Sequence, residues 1–64
     1  MRYDVLLDSD AGPHPRHFST IYADADDQAR RLVREKWLEQ EPELRLQLVR
    51  LDDDDRLVRV PLQK

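Results

Sequence analysis

The sequence contains no cysteine, a single glycine, and no run of more than three consecutive apolar residues. Without cysteine the chain forms no disulfide, and the cysteine-based zinc sites of small domains are excluded. An apolar run such as Val5 to Leu7 is far too short for a membrane span or for the core of a signal peptide. We therefore expect a soluble, cytoplasmic protein without membrane contact.

The residue patterns that carry catalysis are also missing. There is no cysteine nucleophile and no glycine-rich phosphate loop, and neither Ser9 nor Ser19 lies in a nucleophile motif. A chain of 64 residues rarely forms a pocket that excludes water. We predict that the protein is not an enzyme and that it has no cofactor.

Two clusters of potential metal ligands are too poorly arranged to predict a site. The four consecutive acids from Asp52 to Asp55 alternate in direction, whereas a calcium loop spaces its ligands over about twelve positions around a glycine turn. His14 and His17 lie three residues apart in a proline-bounded loop, with no third ligand nearby. Because aspartate is a good turn former, we expect a turn at 52–55 and no metal site.

Size and charge describe one small domain spanning residues 1–64. Hydrophobic residues make up 39% of the chain and charged residues another 39%, with a net charge of −3. A domain of this length buries only about 60% of the surface that its unfolded chain exposes. Such domains often gain stability by oligomerising or by docking on a partner. The net negative charge argues against nucleic acid as the main partner.

The segment from Asp24 to Gln40 has the clearest period in the sequence. Its apolar residues recur at helical spacing and form one stripe: Ala25, Ala29, Leu32, Val33 and Trp37. Asp24 is the expected N-cap, with Asp27 at the acidic position of a capping box. Pro42 is expected to end the helix.

Four strand-like segments surround this helix. They are Arg2 to Asp8, His17 to Ala23, Leu44 to Leu51 and Arg56 to Leu62, with a loop at Ser9 to Arg16. The element order ββαββ predicts an α+β fold in which one helix packs on one face of a four-stranded mixed sheet. Two strand orders fit the connections, 2-1-4-3 as in β-grasp folds and 1-2-3-4.

The register of the second strand decides which residues face away from the helix. If Ile21 and Ala23 face the helix, Phe18, Thr20 and Tyr22 point outward, whereas the opposite register buries the aromatics. We favour the first, because the small Ala23 permits a close approach of strand and helix. The open face then carries more apolar surface than a small monomer usually exposes. The predicted interface residues on it are Leu6, Phe18, Thr20, Tyr22, Val49, Leu51 and Leu57.

These observations predict a non-catalytic protein-interaction module that forms a homodimer or docks a protein partner through the open sheet face. The alternative is a nucleic-acid-associated accessory protein that uses Arg30, Arg31 and Arg34 on the outer helix face. Spacings of four residues from Asp26 to Arg30 and from Asp27 to Arg31 favour a solvated salt-bridge surface there instead. A base-stacking platform built on Phe18 and Tyr22 is disfavoured, because no basic, glycine-rich motif surrounds them.

Overall fold

The computed structural model describes residues 1–8 and 14–62. The elements in chain order are β1 (Arg2–Leu7), β2 (Arg16–Tyr22), α1 (Asp26–Val33) with a π-helical turn (Arg34–Leu38), β3 (Leu46–Leu51) and β4 (Leu57–Val60). The predicted α+β class and the element order ββαββ are confirmed. Most of the predicted loop between β1 and β2, residues 9–13, lies outside the described residues.

The four strands form one sheet in the order β2-β1-β3-β4, and every neighbouring pair is antiparallel. Both predicted strand orders are wrong, and the sheet is not mixed. Because β2 and β3 are each antiparallel to β1, they run in the same direction on either side of it. The helix therefore connects two parallel strands that β1 separates.

The burial of β3 and the shape of β4 explain this order. β3 carries buried residues on both faces, Leu48 and Val49, which suits an inner strand. β4 has only four residues and is followed by Pro61, which cannot donate a ladder hydrogen bond. An inner β3 and an outer β4 follow from these two properties.

The helix covers one face of the sheet, as predicted, and the core lies between them. Its buried members are Tyr3, Val5, Ile21, Ala23, Ala29, Val33, Leu48 and Val60. The strand register explains the set, because Tyr3 pairs with Ile21, and Leu48 lies between Val5 and Val60. Partly buried side chains surround this core: Leu32, Trp37, Leu38, Leu46 and Leu62.

The helix begins at Asp26, later than predicted, and its last turn is π-helical. Ala25, in extended conformation, precedes the first helical residue, and Asp24 instead donates its backbone N–H to Gln28 Oε1 at 2.7 Å. In the π-helical turn, Glu39 N–H donates to the carbonyl of Arg34, five residues earlier, at 2.8 Å. Residues four and five positions after Val33 then share its side of the helix, so both Trp37 and Leu38 reach the core.

A bulge in β2 changes the direction of one aromatic side chain. Val5 pairs with Ser19 and Leu6 pairs with His17, which leaves Phe18 without a partner in β1. Its ring contacts Trp37 edge-on, with centroids 5.3 Å apart and an interplanar angle of 75°. The predicted placement of Phe18 on the open face is therefore wrong, whereas Ile21 and Ala23 face the helix as predicted.

Candidate interaction surface

The face of the sheet opposite the helix is organised in rows that run across the strands. At one end of the sheet, Tyr22 pairs with Arg2, and Leu51 pairs with Leu57. Continuing the register of Asp4 with Val49 by two residues places Arg2 beside Leu51. We call the resulting set the end row: Tyr22, Arg2, Leu51 and Leu57.

The three apolar side chains of the end row are strongly exposed. Tyr22 is 70% accessible to solvent, Leu51 54% and Leu57 69%. Since neighbouring strands lie about 4.8 Å apart, the row spans about 14 Å from the outermost strand to the other edge. Large apolar side chains are thus concentrated at one end of the open face, where a binding partner can cover them.

Polar side chains on the open face next to the end row are paired with one another. Thr20 Oγ1 donates to Asp4 Oδ1 at 3.2 Å, and His17 Nε2 lies 3.0 Å from the same hydroxyl. Arg2 Nη2 also reaches Asp4 Oδ1 at 3.4 Å. Asp4 therefore collects the polar groups of two strands. This cluster of Asp4, His17 and Thr20 was missed from the sequence, because the bulge that brings His17 onto the open face has no local signature.

Six of the seven predicted interface residues fall into two groups on the open face. Those strongly exposed on the open face are Tyr22, Leu51 and Leu57. Those on the same face that are half-buried or buried are Leu6, Thr20 and Val49. Val49 is only 5% exposed, since it lies in an inner strand between Asp4 and Arg59. Phe18, with its ring against Trp37, belongs to neither group.

A hydrogen-bonded triad on the helix side holds the strands behind the end row. Tyr3 Oη and Arg50 Nε each donate to Asp26 Oδ1 at 2.8 Å, and Arg50 Nη2 reaches Oδ2 at 3.3 Å. The hydrogen bonds from Arg50 and Tyr3 hold the pKa of the Asp26 carboxyl below its usual value. Burial, reinforced by the bond to Asp26, raises the pKa of the Tyr3 hydroxyl to about 12. The same carboxylate raises the pKa of Arg50.

This triad was also missed, although each member is visible in the sequence. An acid in the first helical turn is ordinarily explained by the helix dipole alone. Its pairing with Tyr3 and Arg50 depends on the strand order, which places β3 beside β1.

The β3–β4 connection is a turn closed by one of its own carboxylates. Asp52 Oδ1 accepts the backbone N–H groups of Asp54 and Arg56, both at 2.9 Å. Asp55 has a positive φ of 59°, which aspartate tolerates better than most residues. Within the described part of the chain, the exposed carboxylates of Asp53, Asp54 and Asp55 make no hydrogen bond or ion pair. The turn therefore presents unpaired negative charge beside Leu51 and Leu57.

The helix arginines lie on a different surface, in a groove along the helix. Arg30 Nη2 pairs with Asp27 Oδ1 at 3.1 Å, a spacing of three residues rather than the predicted four. Arg30 is partly buried, with 22% of its side chain exposed, whereas Arg31 and Arg34 are exposed. The groove has a volume of about 810 Å³, and its apolar lining includes Leu38 and Leu62. Three acidic residues line it beside the arginines: Asp27, Glu35 and Glu39. Its charges are thus mixed in sign.

No family model, no curated protein and no solved structure matches this chain. Across residues 1–8 and 14–62, no helix has both the length and the apolar character needed to cross a membrane. Over the same residues, His, Asp and Glu side chains form no group of three or more that could hold a metal ion.

Proposed function

We propose that this domain is a non-catalytic protein-interaction module that binds a second copy of itself or another protein through the end row. The observation that carries the proposal is the exposure of Tyr22, Leu51 and Leu57 on one row of the uncovered sheet face. Since the chain lacks cysteine, we propose the cytoplasm as its compartment.

The size of the patch supports a transient complex. Full burial of a leucine or aromatic side chain contributes about 1.5–3 kcal/mol, and the end row supplies three side chains that are already partly covered. Association also costs several kcal/mol in lost translational and rotational freedom. We therefore expect affinities in the micromolar range or weaker, unless polar contacts around the row add to them.

The edges of the sheet are poorly suited to the same task. β2 carries the bulge at Phe18, and β4 is short and bounded by Pro61. Bulges, short strands and proline are the features by which natural sheets prevent strand addition at their edges. The open face is the remaining apolar surface of the sheet, and this supports a side-chain interface rather than an extended sheet.

The proposal is tested by comparing the wild-type domain with Tyr22→Ala and Leu57→Ser. Light scattering on a sizing column across a concentration series measures self-association. Capture from a lysate of the source organism, quantified by mass spectrometry, measures other partners. We expect one complex, of either kind, that both substitutions weaken.

The matched control is the double variant Arg31→Gln and Arg34→Gln, which alters the exposed arginines of the helix groove. It should leave the complex intact. A complex that survives Tyr22→Ala and Leu57→Ser but is lost in the arginine variant, and that weakens steeply with salt, would contradict the proposal and favour the nucleic-acid hypothesis. Finding neither self-association nor a captured partner would also contradict it.

A further inference from the structure

We infer that the end row receives a basic, amphipathic segment of another protein rather than a second copy of this chain. This inference rests on the proposed function and specifies its partner. Two features decide the occupant: the small exposed apolar surface of the face and the unpaired negative charge at its end.

The open face offers little exposed apolar surface for a stable two-fold dimer. Its strongly exposed large apolar side chains are Tyr22, Leu51 and Leu57, all in the end row. Stable specific interfaces bury about 1,200–2,000 Å² in total around a mainly apolar centre, and each copy supplies three such side chains to it. A single chain segment lying across the end row needs no larger surface to cover its three exposed apolar side chains.

The negative charge next to the end row favours a partner segment that carries positive charge. The turn that joins Leu51 to Leu57 carries four aspartates and one arginine, Arg56. Asp52 is occupied with the backbone of the turn, but the carboxylates of Asp53, Asp54 and Asp55 are exposed and unpaired in the described part of the chain. Lysine or arginine side chains of a bound segment can reach them directly from the apolar row.

The one cation within the row does not oppose this choice. Arg2 lies between Tyr22 and Leu51, and its guanidinium is offset by Asp4 at 3.4 Å. A second copy would bring to this turn one cation from its own end row, Arg2, and that guanidinium already faces Asp4 of its own chain. The occupant that satisfies both the apolar row and the turn combines apolar side chains with positive charge.

The test uses the full chain and three synthetic peptides of equal length and spacing. One combines leucine with lysine, one combines leucine with glutamate, and one combines serine with lysine. Backbone amide spectra recorded during titration give the affinity and the residues whose signals shift. We expect the leucine–lysine peptide to bind at least about tenfold more tightly than the other two, with shifts centred on Tyr22, Leu51 and Leu57.

Charge-neutralising variants show whether the peptide is attracted by the acidic turn or by the net negative charge of the whole protein. The double variant Asp53→Asn and Asp54→Asn should weaken the leucine–lysine peptide about fivefold, since each exposed charge pair contributes modestly. The double variant Glu39→Gln and Glu41→Gln makes the same charge change at the opposite end of the molecule and should leave the affinity unchanged.

The outcomes separate this inference from the proposed function. If Leu57→Ser abolishes peptide binding while the aspartate variant binds normally, or if the leucine–glutamate peptide binds equally well, the basic partner is wrong and the end row remains an interface. A stable homodimer that Leu57→Ser dissociates has the same meaning. If the peptide shifts map to the helix groove and Leu57→Ser has no effect, both proposals fail.

Discussion

Arg50 and Asp26 join the third strand to the first turn of the helix, with Arg50 Nε 2.8 Å from Asp26 Oδ1. Tyr3 donates to the same oxygen from the neighbouring strand. The residues adjacent in sequence to these strand partners, Arg2 and Leu51, point to the opposite face of the sheet. The triad therefore fixes, from the helix side, the two inner strands that carry the middle of the end row.

Replacing Asp26 with asparagine should lower the free energy of unfolding by about 1–3 kcal/mol, because charge-assisted hydrogen bonds to Tyr3 and Arg50 are lost. Asp27→Asn is the matched control, since both residues lie in the first helical turn and interact equally with the helix dipole. The side chain of Asp27 is 88% exposed, and among residues 1–8 and 14–62 its ion pair is with Arg30, so its replacement should cost less than about 1 kcal/mol. Urea unfolding of both variants measures the difference, and equal losses would contradict a special role for Asp26.

The triad also predicts the pH dependence of stability. The pKa of Tyr3 is raised from 10.0 to about 12 in the folded protein, so its contribution is complete below pH 10 and is lost as the pH rises towards 12. The pKa of Asp26 is lowered from 3.8, so its contribution is complete above that value and is lost as the pH falls below it. Unfolding free energies measured across pH should decline at both ends.

The alkaline decline can be assigned to Tyr3 by substitution. Tyr3→Phe should cost about 1 kcal/mol at neutral pH through the lost hydrogen bond. The difference from wild type should shrink between pH 10 and 12, because Tyr3 ionises near pH 10 in the unfolded chain but keeps its proton up to about pH 12 in the folded protein. Tyr22→Phe, which alters an exposed hydroxyl, is the control, and a constant difference for Tyr3→Phe across this range would contradict the assignment.

The two aromatic side chains of β2 should respond differently to threonine, which preserves strand propensity. Phe18→Thr removes a ring that packs edge-on against Trp37 and should lower the unfolding free energy by about 1–2 kcal/mol. Tyr22→Thr removes an exposed ring and should change it by about 0.5 kcal/mol or less. Equal effects would contradict the bulge that separates their directions.

The positive φ of Asp55 offers a site for stabilisation. Asp55→Gly should raise the unfolding free energy by up to about 1 kcal/mol, because glycine adopts this left-handed conformation without a steric cost. Asp55→Val should lower it by about 1–2 kcal/mol, since a β-branched residue is strongly disfavoured there. Thermal unfolding measures both, and a loss of stability in the glycine variant would argue against this turn geometry.

The parts of the fold that could be predicted from the sequence are those set by local period. The apolar stripe through Ala29 and Val33 marked the helix, and alternation in the second strand placed Ile21 towards the core and Tyr22 outward. The same alternation found Leu51 and Leu57 in the β3–β4 hairpin. In each case a side chain's direction follows from its near neighbours in the sequence.

The parts that could not be predicted depend on contacts between distant segments. No local signal states that β3 lies beside β1, and with a different strand order Tyr3, Arg50 and Asp26 need not meet. The bulge at Phe18 shifts the register by one residue, which moves Phe18 to the helix side and His17 to Asp4. Alternation along β3 correctly places Val49 on the open face, but Val49 is buried there because β3 is an inner strand.

The most direct test of the end row as a binding surface is a leucine-methyl NMR spectrum of the labelled domain, recorded alone, on dilution and in a lysate of the source organism. We predict that the signals of Leu51 and Leu57 shift or broaden selectively on association, while those of Leu48 in the core and of Leu38 and Leu62 in the helix groove stay unchanged. Unchanged signals for Leu51 and Leu57, with changes at Leu38 and Leu62 or nowhere, would contradict it.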